Sequence, residues 1–309
     1  MKAAFIFSGQ GAQRVGMGKD IFDNSRAGAA VYREADSLLD WSVSDVCFNG
    51  PEEKLTESRY CQVAIFVTSM ACLAAFREKF GDAVKPVGAA GLSLGEYGAL
   101  CCAESFSFAD GLRLVARRAE LMDAACRETS GTMACVLTKG AAPADTIRDI
   151  CAGCGIDVAN YNSPGQIVIS GVADGVSRAC EQIKGLENIR RIIPLNVAGA
   201  YHSRLMAKAG EQLRSVLDGV TIRQNVVPVA QNVTGKVTED FTQIKANLVS
   251  QVAGSVRWVD CVNALSALGA DTFIEFGPGT VLTGLVKQID PSKALLNVSS
   301  CADLEKIQL

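Results

Sequence analysis

The sequence has no excess of positive charge. Thirty Lys and Arg stand against 33 Asp and Glu, for a net charge of −3 and a pI of about 5.4. That argues against a nucleic-acid binder, which normally needs a basic face, while leaving room for a local basic patch. There is no apolar run approaching the roughly 18 residues of a membrane span. The richest stretch, Val63 to Phe76, is interrupted by Thr68 and Ser69 and ended by Arg77. The apolar run in MKAAFIFSGQG is too short for a signal-peptide core, and no small-residue cleavage site follows it. The expectation is a cytoplasmic chain with no membrane partner. Internal repeats and low-complexity tracts are absent. Histidine occurs once, as His202.

What the chain does have is a large capacity for a core. Apolar residues make up 49%, charged residues 20%, and there are 29 glycines in 309 residues. This composition excludes disorder and collagen-like repeats, and the length suits one large domain or two modest ones. Twelve cysteines are present, but so long and apolar a chain needs no disulfide scaffold. Cys72, Cys101, Cys102 and Cys135 sit in apolar patterns and read as small buried hydrophobes. Cys151 and Cys154 form a CxxC without a second ligand pair and without a thioredoxin-like position, so neither a metal nor a redox centre is expected.

Ala3 to Phe7 reads as a buried strand ending in the loop Ser8-Gly9-Gln10-Gly11, with helical patterns from there to about Phe80. Pro86 to Ala90 reads as a second buried strand, followed by Gly91-Leu92-Ser93-Leu94-Gly95, a helix from Glu96, and another over Ala109 to Arg127. The middle section changes rhythm. Strands are expected over Thr132–Leu137, Asp157–Tyr161, Gln166–Gly171 and Arg190–Leu195, with helices over Pro143–Cys151 and Val172–Ile183 and a turn at Asn162-Ser163-Pro164-Gly165. That order, βαββαβ, is the ferredoxin-like pattern. Beyond it come a helix of about fifteen residues after His202, strands over Val226–Asn232 and Thr272–Phe276, and a helix over Val281–Gln288. Strands alternating with helices on both sides of the insert imply a mainly parallel sheet covered on both faces. The expected class is α/β: a large α/β subdomain of residues 1–128 and 199–309 around an inserted ferredoxin-like subdomain of residues 129–198.

Four constellations could carry chemistry. Gly91-Leu92-Ser93-Leu94-Gly95 is a GxSxG, which would raise the Ser93 hydroxyl on a sharp turn between strand and helix. N–H groups at the helix start could hold an oxyanion; a packing turn of small residues is the alternative. A serine nucleophile with a histidine base has only His202 to use, although a lone histidine can equally be structural. Arg118 shares a helix face with Leu114, Val115, Leu121 and Met122, whereas Arg113, Arg117 and Glu120 lie on the wetter side. A buried-edge arginine needs an anion, either an internal Asp or Glu or a ligand carboxylate matching its planar fork. Finally, Ser8-Gly9-Gln10-Gly11, Asn160-Tyr161-Asn162, Gln231-Asn232 and Gly277-Pro278-Gly279 follow strands, where α/β sheets bind ligands; ordinary turn chemistry explains each taken singly.

Taken together, FIFSGQGAQRVGMG, GLSLGEYGAL, RAELM, NYNSPGQIVISG, AYHSRLM, QNVTG, SVRW and FIEFGPGTVLTGLVKQI resemble the malonyl-CoA:acyl carrier protein transacylases, in the family's order and over essentially the whole chain. The resemblance implies a hydrolase-like α/β subdomain with a ferredoxin-like insert. It implies Ser93 as the acyl acceptor, His202 as its base, and Arg118 as the partner of the malonyl carboxylate. It further implies an oxyanion hole from the N–H groups of Gln10 and Leu94, and Gln251 as the residue whose backbone carbonyl orients the histidine. Asn160 and Asn162 are expected to line the substrate pocket. Tyr201, just before the histidine, is expected to border the acyl α-carbon. Where the family has Pro, His and Phe, this chain has Ser8, Leu92 and Tyr201. The partners implied are malonyl-CoA and an acyl carrier protein, with a monomer as the family precedent, and neither metal nor redox cofactor is required.

A carrier of polyketide rather than fatty-acid synthesis is an alternative, and so is a serine hydrolase. An inactive carrier-binding module is a third reading, against which stand the retained Ser93 and His202. Arg190, Arg191, Arg204 and Lys208 could form a docking patch for an acidic carrier.

Overall fold

The computed structural model describes residues 1–238 and 240–308. Two sheets organise the chain. The first contains β1 (Ala3–Phe7), β2 (Gly88–Gly91), β7 (Val229–Gln231), β8 (Lys236–Thr238), β9 (Thr272–Phe276) and β10 (Ala294–Val298), in the order β10-β9-β1-β2-β7-β8. Every pairing is parallel except β7 with β8. The second contains β3 (Gly131–Thr138), β4 (Asp157–Ser163), β5 (Gln166–Val172) and β6 (Ile189–Pro194), antiparallel in the order β4-β5-β3-β6. This is the expected α/β architecture, with a mainly parallel sheet and a ferredoxin-like βαββαβ unit.

β1 is apolar at every position because both faces of a central parallel strand are covered. Its alternate side chains divide between two cores. Phe5 and Phe7 point to the side of the helix Ser58–Phe80, while Ala4 and Ile6 meet Trp258, Val262, Leu265, Leu282 and Val286 on the other side. Phe5 packs edge-on against Phe76 and Phe276, with ring centroids 5.6 and 4.9 Å apart, arrangements that each add about 0.5–1.5 kcal/mol beyond burial.

The helix Ser58–Phe80 corrects one expectation. By length and composition it is apolar enough to cross a membrane, but most of it is buried inside the fold. It is apolar on all sides because helices pack around it, which is how a core helix reads.

The ferredoxin-like sheet shows the same division. Ala134, Val136, Ile167 and Ile169 face the helices Ala144–Gly153 and Ala173–Lys184, whereas Met133, Cys135 and Val168 face the main body. Asn162 and Ser163, expected in a turn, belong to β4, which leaves Pro164-Gly165 as the tight connection. The second buried strand starts at Gly88 rather than Pro86, and β7 is shorter than the expected Val226–Asn232. Pro228 has no N–H to give a ladder; its carbonyl instead accepts from Ala89 N at 2.8 Å. β8, β10 and the helices Phe241–Ala253 and Trp258–Ala267 were not foreseen. The two strands are short and only partly buried, so their apolar signal is weak.

Candidate active site

The sharp turn at Ser93 is dictated by the glycines on either side of it. β2 ends at Gly91, and the helix Gly95–Cys102 starts two residues after Ser93. A Cβ at Gly91 would lie 2.0 Å from the Gly95 carbonyl, and one at Gly95 would lie 2.0 Å from the Phe7 carbonyl. Only glycine lets the helix come so close to the sheet. Ser93 takes φ 55°, in the left-handed region. Its N–H donates to Asn232 Oδ1 at 2.6 Å, and Asn232 Nδ2 donates back to the Gly91 carbonyl at 2.8 Å. One buried asparagine thus ties both ends of the turn.

His202 also has φ 55°, and its Nε2 is 2.7 Å from Ser93 Oγ. On the far side, Nδ1 meets the carbonyls of Gln251 at 2.9 Å and Gly254 at 3.2 Å. Carbonyls only accept, so Nδ1 carries the proton and Nε2 is left as the acceptor for the serine hydroxyl. No carboxylate is needed to set this tautomer. Burial and the charge of Arg118 push the imidazole down from 6.5 to about 4, against the two carbonyls, which favour its protonated form. The ring is therefore neutral at physiological pH, with Nε2 free to accept a proton.

Arg118 comes from the helix Phe108–Glu128, whose start is capped by Ser107 Oγ accepting from Asp110 N. Arg118 is 1% exposed, and the direct partners of its guanidinium are neutral. Nη1 donates to Gln62 Oε1 at 2.5 Å; Nη2 donates to Ser93 Oγ at 2.9 Å and to Gln251 Oε1 at 3.1 Å; Nε has no partner among the described residues. Among the described residues, no Asp or Glu forms an ion pair with it. The charge of Arg118 is thus met by no directly paired internal carboxylate; the nearest compensation runs through the Gln251 amide to Glu96.

The remaining expected residues fall around this centre. Neither the N–H of Gln10, in the loop after β1, nor that of Leu94, at the turn, is donated to an acceptor among the described residues. Ser8, in place of the family's proline, donates weakly to Glu275 Oε1, Phe276 O and Pro278 O at 3.1–3.3 Å, tying the Gln10 loop to β9 and the turn after it. A cleft of about 610 Å³ opens over Ser93 and His202. Gln10, Leu92, Asn160, Asn162 and Tyr201 line it, together with Met133 and Val168 of the second sheet and Val281 and Leu285 of the first subdomain. Asn160 follows a register shift in β4 and forms a bridge to Val256, beside the Gly254 carbonyl that His202 uses. Leu94, Arg118 and Gln251 are not among the residues lining the cleft; Leu94 follows Ser93 in the turn, and Arg118 and Gln251 contact Ser93 directly.

Three contributions were not assigned from sequence. Glu96, one residue past the GxSxG, is buried beneath the site; its signal was a lone acid in the apolar helix GEYGALCC. Gln62 is the corresponding polar residue in an apolar helix. Asn232 had been noted only as part of a loop after a strand. Of the four cations expected in a docking patch, Arg204 pairs with Asp157 and Lys208 with Glu128, each at 2.7 Å. Arg190 and Arg191 remain exposed on β6. Cys151 and Cys154 are free and buried, and the described residues hold no metal-binding group of His, Cys, Asp and Glu.

The acyl transferase domain family matches residues 4–307. The malonyl CoA-acyl carrier protein transacylase of Bacillus subtilis is 41% identical over 311 residues, covering all of this chain and 96% of that protein. The crystal structure of an acyl-carrier-protein S-malonyltransferase from Burkholderia pseudomallei superposes with a TM-score of 0.93 at 36% identity, over 99% of both chains. A malonyl-transacylase solved in complex with a type II polyketide-synthase acyl carrier protein gives a TM-score of 0.93 at 33% identity, over 99% of this chain and 98% of that one. A serine held by a neutral histidine, an arginine without a carboxylate partner, and full-length similarity of this order lead to one assignment: the chain belongs to the acyl transferase domain family and, within it, to the malonyl-CoA:acyl carrier protein transacylases.

Proposed function

We propose that this protein moves the malonyl group of malonyl-CoA to the phosphopantetheine thiol of an acyl carrier protein of fatty-acid synthesis, through an ester on Ser93. The observation that carries the reading is Arg118. A buried guanidinium 2.9 Å from the nucleophile, partnered only by amides and a hydroxyl, is a receptor for a carboxylate carried by the acyl group. A simple esterase has no use for it.

His202 Nε2 takes the proton of Ser93 Oγ, which attacks the thioester carbonyl carbon. The oxyanion that forms is held by the N–H groups of Gln10 and Leu94, each such donor contributing about 2.7–4 kcal/mol to the transition state. The carbon–sulfur bond breaks, and CoA leaves with the proton returned by His202. The carrier's thiol then enters the same cleft and gives its proton to His202. Its sulfur attacks the ester, and Ser93 Oγ leaves with the proton. Asn160, Asn162 and Tyr201 line the space taken by the acyl group and the pantetheine arm. The reaction needs no metal or redox cofactor, and we take the enzyme to act as a monomer in the cytoplasm.

The test is to label the protein with radioactive malonyl-CoA and chase the adduct with a carrier thiol or with water. A Ser93 ester that survives water and yields to the thiol is expected. Rapid loss to water would identify a hydrolase, and no adduct would leave a carrier-binding module. Offering the acyl-enzyme carriers from fatty-acid and polyketide synthesis separates those two uses.

A further inference from the structure

Glu96 is a buried carboxylate that the chemistry above leaves unused. Three N–H groups converge on it: Gln231 Nε2 at 3.0 Å, Asn232 N at 2.9 Å and Gln251 Nε2 at 2.9 Å. The Gln251 amide is the pivot. Its Nε2 also donates to the Ser93 carbonyl at 2.8 Å, while its Oε1 accepts from Arg118 Nη2 at 3.1 Å. An amide has one donating end and one accepting end. Both groups facing Nε2 here accept from it, and that sets the Oε1 end toward Arg118.

The charges follow the same route. Two fully buried side chains of opposite sign, Glu96 and Arg118, are joined by one neutral amide and form no ion pair. A direct pair would satisfy the guanidinium and leave it little to offer a ligand. An unbalanced buried arginine would be costly. One intervening amide balances the charges while keeping the guanidinium open.

We propose that Glu96 is a positioning residue for acyl selection: acting through the Gln251 amide, it holds the Arg118 guanidinium beside Ser93 without pairing with it, which leaves that charge available to a malonyl carboxylate. The inference rests on the malonyl-transfer reading and adds to it the element that sets the arginine.

The experiment compares acylation of Ser93 by malonyl-CoA and by acetyl-CoA, which lacks the carboxylate. Glu96→Gln places an NH₂ among three N–H donors, so an amide must turn. The ratio of malonyl to acetyl acylation is expected to fall by about tenfold or more, the size of a lost hydrogen bond to a charged group. In an Arg118→Ala background the same change is expected to leave the ratio where Arg118→Ala alone put it. An unchanged ratio in the single variant, or an undiminished further fall in the double variant, would overturn the proposal. Should Glu96→Gln fail to fold, Gln251→Leu removes the bridge and keeps the backbone carbonyl that His202 uses; an unchanged ratio there has the same force. A wild-type protein that forms no malonyl adduct would remove the malonyl reading itself, whereas an adduct with an unchanged ratio removes only the role of Glu96.

Discussion

Ser93 and His202 share an uncommon backbone conformation. Both sit at φ 55°, and Oγ and Nε2 meet at 2.7 Å. The left-handed region costs a non-glycine residue about 1–2 kcal/mol. Among the described residues four non-glycine residues lie there, and two of them are Ser93 and His202, the proposed nucleophile and base. Such outliers persist where surrounding structure over-determines them. Here Asn232 holds one, and the carbonyls of Gln251 and Gly254 hold the other.

The first prediction follows from that strain. Ser93→Gly is expected to be more stable than Ser93→Ala by about 1 kcal/mol, because glycine adopts this φ without steric cost. Neither variant should form an acyl adduct. Thermal or urea unfolding of the pair measures the difference, and an alanine variant as stable as the glycine one would show that the turn is not strained.

Arg118→Ala should lose malonyl transfer selectively. A carboxylate left without its partner in a buried site typically costs about 2–5 kcal/mol. Acetyl transfer should lose far less. Steady-state rates with both thioesters give the answer, and an equal fall would make Arg118 a structural residue.

The third prediction concerns pH. With His202 held at about 4, acylation should show no acid limb near 6.5. Because the charge of Arg118 is one of the two causes, Arg118→Ala should move the limb upward. The imidazole contributes stability above 6.5, its value in the unfolded chain, and that contribution is lost as pH falls toward 4, since the unfolded state takes the proton first. The only histidine in the chain is directly visible by NMR, so the titration can be followed without assignment. A midpoint near 6.5 in the wild type would contradict the burial argument.

Tyr201 is buried on the cleft wall, and its hydroxyl has no hydrogen-bond partner among the described residues. Removing an unsatisfied buried hydroxyl costs little, so Tyr201→Phe should match or exceed the wild type in stability and retain malonyl transfer. The bulk of the ring should crowd an added α-methyl, an overpacking of about 1–3 kcal/mol. Malonyl-CoA is therefore expected to win over methylmalonyl-CoA in direct competition, and Tyr201→Ser to narrow the gap. Equal use of the two by the wild type would leave Tyr201 as a packing residue.

Asn232→Ala should loosen the nucleophile turn from behind. It removes the acceptor of Ser93 N–H and the donor to the Gly91 carbonyl, and a buried group left unsatisfied costs about 1–3 kcal/mol. Lower stability is expected together with a slower acylation step. A variant with unaltered kinetics would show that the glycines alone hold the turn.

Much of this protein was legible in the residue order because its signals are local. The short apolar run Ala3–Phe7, closed by a Gly-rich loop, read as a buried strand, and Gly91 and Gly95 around Ser93 read as a sharp turn between strand and helix. A single histidine left no other candidate for an imidazole base, and the βαββαβ order follows from a change of period. What the order of residues left open was decided by contacts across long sequence separations. Whether Arg118 had an internal carboxylate depended on what Gln62 and Gln251 would place beside it, 56 and 133 residues away. A backbone carbonyl has no residue signature, so for the orientation of His202 only the resemblance pointed to Gln251, and the fold adds the carbonyl of Gly254. The part played by Glu96 stayed hidden for the same reason: its partners come from Gln231, Asn232 and Gln251, more than 130 residues along the chain. A hydrogen bond is set by distance and direction in space, and only folding brings such groups together.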